Sequence, residues 1–210
     1  VQTCALPISY KFVKKVLDEK EFKHYSAGIV LQSYLPDSYA IQQQLTTWAR
    51  ARVADGGAPI KIRLVKGANL AMEALEASLH GWPQAPYPNK MEVDANYKQM
   101  ILYGLNPSHV KAAWIGIASH NVFDIAYALL LRMEYQLEKE SCFEMLEGMA
   151  DPMRRVVQQL AGDILLYCPV ATKEDFVSAV AYLMRRLDEN TAPENFLRSS
   201  FQLEPGSPSW

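Results

Sequence analysis

Five short apolar runs alternate with longer stretches of helical period along this chain of 210 residues, and that alternation constrains the fold more than any other feature. The runs lie at 27–34, 60–65, 112–119, 141–146 and 164–169. Helical stretches are expected at 37–54 behind Asp37 and Ser38, at 69–79, from Asp94 or Asn96 through Leu102, briefly after Asn106, at 122–138, from Asp151 to Leu160, and at 173–190 behind Thr172. A leading helix at 10–25 carries Phe12, Val13, Val16 and Leu17 on one side. Strands separated by helices must run parallel, because a parallel pair needs a crossover and buries both faces. The class is therefore α/β, with a parallel sheet and helices outside it.

Two architectures satisfy that pattern, an open doubly wound sheet and part of a (β/α)8 barrel. No Gly-x-Gly-x-x-Gly follows the first run. Polar residues stand in or just after the C-terminal ends of the runs: Gln32, Arg63 with Lys66, Ser119-His120-Asn121 and Glu144. Contributions from every strand to one rim are how a barrel builds its site, so a partial (β/α)8 barrel with five of eight βα units is expected. The stretch Ile62-Arg63-Leu64-Val65-Lys66-Gly67-Ala68 is the most informative of these, since two cations in a strand have to be satisfied and a glycine lets a ligand approach the backbone. Its alternative is a pair of snorkelling side chains on an edge strand.

Composition removes several classes. Twenty-one basic residues against 23 acidic ones, a net charge of −2 and no basic run exclude a nucleic-acid partner. Cys4, Cys142 and Cys168 have no metal-ligand spacing, so no metal site is expected, and an odd thiol suits a reducing compartment. The longest apolar run, near 125–131, is too short to span a bilayer, and no signal peptide stands out. Residues 1–9 share no period with the rest of the chain and read as a non-native leader.

The motifs Val30-Leu31-Gln32-Ser33-Tyr34, Arg63-Leu64-Val65-Lys66-Gly67-Ala68, Ala118-Ser119-His120-Asn121, Leu146-Glu147-Gly148-Met149, Tyr167-Cys168-Pro169-Val170 and the run 182–190 occur in one order. Together they resemble the proline dehydrogenase domain of bifunctional proline-utilisation flavoenzymes, a distorted (β/α)8 barrel that holds FAD. The resemblance divides the chain into the leader, the C-terminal part of that barrel at 10–200, and the start of a linker at 201–210 towards an aldehyde dehydrogenase domain. It also implies an activity of proline catabolism: FAD-dependent oxidation of L-proline to pyrroline-5-carboxylate, by hydride transfer to flavin N5, with electrons passed to a quinone. A cytoplasmic protein with transient contact at the inner membrane is implied by that acceptor.

By the same resemblance, Gln32 and Arg63 would lie against the flavin ring, and Val65, Lys66, Gly67 and Ala68 would line the cofactor. Lys90, Ser119, His120 and Asn121 would reach its ribityl, phosphate or adenosine parts, and Glu189 and Phe196 its adenosine end. Glu144 stands among these cofactor residues where a Gln is familiar, Ser119 where Thr is, and Asn69-Leu70 where Tyr-Trp is. Leu146 and Tyr167 would close the proline pocket, and Arg185 and Arg186 would grip the substrate carboxylate with forked donors. Arg63, Tyr167, Arg185 and Arg186 form the expected catalytic set. The family's first three strands, with a lysine and an aspartate of the pocket, would precede Gly28, so this chain by itself is expected to be inactive.

Each residue also has a plainer reading. His120 would be a hydrogen-bonded core residue, Arg185 and Arg186 a solvated helix face, Tyr167 a packing residue, and Cys142 and Cys168 buried thiols. Two rival functions accompany these: a non-catalytic partial barrel with exposed edges, and a phosphate-ligand barrel using Lys66 as a Schiff-base or phosphate lysine.

Overall fold

A computed structural model describes residues 6–191, 195–199, 204 and 206. Five strands, β1 (Gly28–Gln32), β2 (Ile60–Val65), β3 (Ala113–Ala118), β4 (Ser141–Leu146) and β5 (Ile164–Tyr167), form one sheet in chain order. Every adjacent pair is parallel. Among the described residues β1 and β5 do not pair with each other, so the sheet is open, as expected of five units of an eight-unit barrel. The helices are α1 (Leu6–Leu17), α2 (Asp37–Ala54), α3 (Leu70–His80), α4 (Lys90–Gly104), α5 (Pro107–Val110), α6 (Val122–Tyr135), α7 (Asp151–Ala161), α8 (Phe176–Thr191) and α9 (Phe196–Ser199).

Several boundaries differ from expectation for identifiable reasons. The leading helix is α1, which takes Leu6, Pro7 and Ile8 into its first turn, where a proline is tolerated, and ends at Leu17. Only a 3₁₀ turn, Lys20–Phe22, continues it. There the carbonyls of Leu17, Phe22, Lys23 and Tyr25 turn towards the Arg52 guanidinium, which also donates to the Ala58 carbonyl. α4 begins at Lys90, not Asp94, because Asn89 accepts from the Glu92 N–H at 3.0 Å and donates to the Glu92 carboxylate at 3.0 Å. α6 stops at Tyr135, where Gln136 turns left-handed at φ 55°. α8 starts at Phe176, since Thr172 and Asp175 close a turn on each other ahead of it.

Alternation along the strands gives the sheet two unlike faces. Leu31, Ile60, Ile62, Leu64, Ile115, Ile117, Phe143 and Met145 point into a continuous core with α2, α4, α6 and α7, and all are buried. Ser33 and Asn96 tie the end of β1 to α4, with Ser33 Oγ donating to the Val93 carbonyl and Asn96 Nδ2 to the Ser33 carbonyl. On the other face stand Val30 and Gln32, Lys61, Arg63 and Val65, Trp114, Gly116 and Ala118, Cys142, Glu144 and Leu146, then Leu165 and Tyr167. Among the described residues no helix covers it: Val30 is 42% exposed, Trp114 39% and Leu165 42%. Among the described residues no helix is long and apolar enough to cross a membrane.

Candidate active site

The open face carries a buried charge at its centre. Glu144, on β4, is fully buried and reaches across β3 to two cations on β2. Lys61 Nζ lies 2.6 Å from Oε1, and Arg63 Nε lies 2.5 Å from Oε2. The space for this crossing exists because residue 116 is glycine; a Cβ there would collide with Glu144 Oε1. Cys142 Sγ sits 3.1 Å from Lys61 Nζ. The ring of Tyr167, on the neighbouring strand, lies 4.1 Å from Arg63 Cζ, within cation–π range. Register puts Leu146 beside Tyr167.

Electrostatics follow that geometry. Burial works against the Lys61 ammonium, but its hydrogen bonds to Glu144 and Cys142 outweigh burial and hold its pKa above the ordinary value. The Cys142 thiol is pushed up, first by burial, although Lys61 pulls the other way. Burial, then the Glu144 charge, raises the Tyr167 phenol.

A second charged group stands at the strand ends. Lys66 Nζ bridges Asp94 Oδ1 and Asp124 Oδ2, each at 2.6 Å, with the Tyr97 ring 5.4 Å away. Lys90 joins the group through Asp94 at 2.5 Å. Burial acts to raise the Asp94 carboxyl, but Lys66 and Lys90 together bring it below its usual range. Gly67, at φ 109°, carries the chain past the ring of Tyr34, which a side chain at 67 would strike. Thus an aromatic ring of the chain itself makes the close approach that the glycine permits.

The expected rim residues have structural partners. Asn121 caps α6 by accepting from the Phe123 N–H at 2.9 Å, while Ser119 donates to Asp124 at 3.1 Å and accepts from the Asn121 N–H. His120 Nε2 accepts from the Leu146 N–H at 3.2 Å, which makes it a link between β3 and β4. Burial moves the His120 pKa down, so the neutral ring this bond needs is the favoured one. Phe196 meets Phe123 edge to face at 5.8 Å, bringing α9 to the start of α6. Arg186 stacks over Tyr182 at 5.3 Å. The Arg185 and Glu189 side chains lie outside the described residues, as does Cys4. Cys168 is exposed and Cys142 half-buried, which corrects the expectation of two buried thiols; strand β5 lacks a second neighbour to cover it.

Three residues of this constellation escaped sequence reading. Lys61 and Asp124 receive no role from the sequence, and Asp94 enters only as a candidate helix start. The alternation Ile60-Lys61-Ile62-Arg63-Leu64 did place Lys61 on the face of Arg63, and that was the available signal.

A family model described as proline dehydrogenase matches residues 2–199. The chain belongs to the proline dehydrogenase family. Among curated relatives, the "Bifunctional protein PutA" of Klebsiella aerogenes is 30% identical over 203 residues, covering 91% of this chain and 15% of that protein. Proline Utilization A from Corynebacterium freiburgense superposes with a TM-score of 0.83 at 49% identity, over 94% of this chain and 20% of that one. The Bdellovibrio bacteriovorus protein, inactivated by N-propargylglycine, superposes with a TM-score of 0.84 at 36% identity, over the same shares. This chain therefore spans about a seventh to a fifth of the length of these relatives. Its open sheet is part of a TIM-type barrel, five of eight βα units, and the open face is the face a closed barrel turns inward.

Proposed function

We propose that this chain forms the cofactor- and substrate-facing part of an active site that oxidises L-proline to pyrroline-5-carboxylate with FAD. The observation that carries the reading is Arg63 on the open face of a proline dehydrogenase chain, fixed through Nε by a buried carboxylate and covered on one side by Tyr167. The donor set fits a flavin. An uncovered surface of Val30, Trp114 and Leu165 beside a fixed cation suits a flat, largely apolar ring that becomes electron-rich. FAD, when bound, supplies the two-electron oxidation that no side chain can perform.

The chain's own residues position and polarise. Arg63 presents charge to the ring, with Val30 beside it in register and the Gln32–Val65 pair two residues further along the strands. Leu146 and Tyr167 form a wall for the pyrrolidine ring, and Arg185 and Arg186 receive its carboxylate. Lys66, Gly67 and Ala68 line the cofactor's path. Ser119, His120 and Asn121 shape the rim through their hydrogen bonds, Lys90 stands at its border, and Glu189 and Phe196 meet the adenosine end. A quinone acceptor, a cytoplasmic site with peripheral membrane contact and a following aldehyde dehydrogenase domain belong to the same reading. The rival use of Lys66 as a Schiff-base lysine is disfavoured, because a nucleophilic amine would have to leave two carboxylate partners.

Purified protein containing the whole barrel should absorb as a flavoprotein, and denaturation should release the chromophore. In that protein Arg185→Met should raise KM for proline about ten- to a hundredfold with flavin content preserved, the worth of a charge-assisted hydrogen bond. Arg63→Met should instead lower kcat or flavin retention. Colourless protein, or wild-type KM in Arg185→Met, would overturn the assignment.

A further inference from the structure

The two oxygens of Glu144 are divided between two cations. Arg63 bonds Oε2 through Nε, while Lys61 holds Oε1. A guanidinium alone with a carboxylate favours the forked arrangement, in which two N–H groups take both oxygens. Lys61 occupies the oxygen that the second prong of such a fork would need. It also changes the charge count: Arg63 and Glu144 alone would be neutral, whereas Lys61, Arg63 and Glu144 together carry +1. Glu144 is buried and packs against Gly116, so loss of Lys61 would leave it paired with Arg63 alone, at no net charge.

Lys61 is not among the residues expected to touch cofactor or substrate. Its partner atoms are Glu144 Oε1 and Cys142 Sγ, at 2.6 and 3.1 Å. We infer that Lys61 is a positioning residue for the cofactor-facing surface: by holding one oxygen of Glu144 it keeps Arg63 bonded through Nε alone and leaves that surface a net positive charge for an electron-rich ring. The inference rests on the proposed function and adds to it the residue that sets the effective charge of Arg63. A glutamate at 144 would otherwise cancel the cation, which a neutral glutamine would not.

The test uses the full flavin-loaded protein and compares wild type with Lys61→Met, Lys61→Arg, Glu144→Gln and the double variant Lys61→Met/Glu144→Gln. Equilibrium reduction against a reference dye reads the preference for reduced over oxidised flavin. Lys61→Met should reduce that equilibrium constant about tenfold, equivalent to about 30 mV for a two-electron couple. Lys61→Arg should restore it to within about threefold, the conservative cation retaining the charge. Glu144→Gln should shift it the opposite way, and the double variant, again at net +1, should return towards wild type. A purely structural lysine would change stability without this sign pattern. If Lys61→Met does not fold, Lys61→Gln, which still donates to Oε1, must show the same fall. An unchanged equilibrium constant in folded, loaded Lys61→Met or Lys61→Gln overturns the inference.

Flavin content of the wild type separates this outcome from failure of the functional reading, since colourless wild-type protein counts against the latter. In flavin-free protein, alkylation read at Cys142 by peptide mass provides a measurement independent of the cofactor. At fixed pH it should slow several-fold in Lys61→Met and quicken in Glu144→Gln, because the thiolate is favoured by the ammonium and disfavoured by the carboxylate. Equal rates in all variants would overturn the placement of Lys61 between them.

Discussion

The two faces of the sheet are made by alternate residues of the same strands, yet they follow opposite rules. On β2, Ile60, Ile62 and Leu64 vanish into the core beneath the helices. Lys61, Arg63 and Val65, interleaved with them, face a surface that no helix covers among the described residues. The covered face is held by packing, where each methylene contributes; the open face is held by one buried carboxylate and its cations. Arginine shows the contrast best. Arg52 spends its donors on backbone carbonyls and fastens α1 to the loop before β2. Arg63 gives one donor to Glu144 and sits over the ring of Tyr167. The first is a structural rivet, and the second is a prepared charge.

The sharpest break of this comparison is a truncation on each face. Ile62→Ala should cost about 2–5 kcal/mol, the range for emptying a fully buried site, as a lowered denaturant midpoint. Val30→Ala on the open face should stay within about 0.5 kcal/mol. Equal losses would mean that the open face is packed as tightly as the other.

Next in size are the changes that unmake one rivet or one crossing. Arg52→Ala should destabilise by about 1–3 kcal/mol, because several carbonyls lose their donor while the open face is untouched. Gly116→Ala should cost about 1–3 kcal/mol through overpacking against Glu144, and it should alter Cys142 alkylation as well as stability. If Gly116→Ala left both unchanged, the carboxylate would not pass over that glycine.

The smallest expected effect concerns pH. His120 is held neutral by burial, so its folded pKa lies below the unfolded value of about 6.5. The unfolded chain then binds the proton first, and stability falls as pH drops from that value towards the folded pKa. Denaturation midpoints between pH 7.5 and 5 should show this slope, and His120→Gln should flatten it. A wild-type slope in the variant would assign it to another group.

Much of the scaffold was legible beforehand because its signals are local. The β2 and β4 runs appear over the expected residues, and α2 spans the expected 37–54, although Asp37 and Ser38 lie inside its first turn and Ser38 Oγ donates to the Gln32 carbonyl instead of capping the helix. Errors gathered where a side chain from elsewhere decided the matter. Arg52, from α2, takes the Leu17 carbonyl at the end of α1; the start of α4 is the exception, since its Asn89–Glu92 cap is a local signal. Phe196 could be assigned to the cofactor end only by resemblance; in the fold its ring meets Phe123 edge to face.

What the sequence determined by itself was the period of each run, and with it the class, the parallel order and the face on which each cation stands. Period is a property of neighbouring residues, so one chain suffices to read it. What only the tertiary structure decided was partnership. Arg63 and Glu144 are 81 positions apart, and they meet because β2, β3 and β4 align in register with a glycine left empty between them. Lys66 likewise finds Asp94 and Asp124 on two different helices. A charge buried between strands is balanced by whatever the register delivers, and register is fixed by the packing of the whole sheet against its helices.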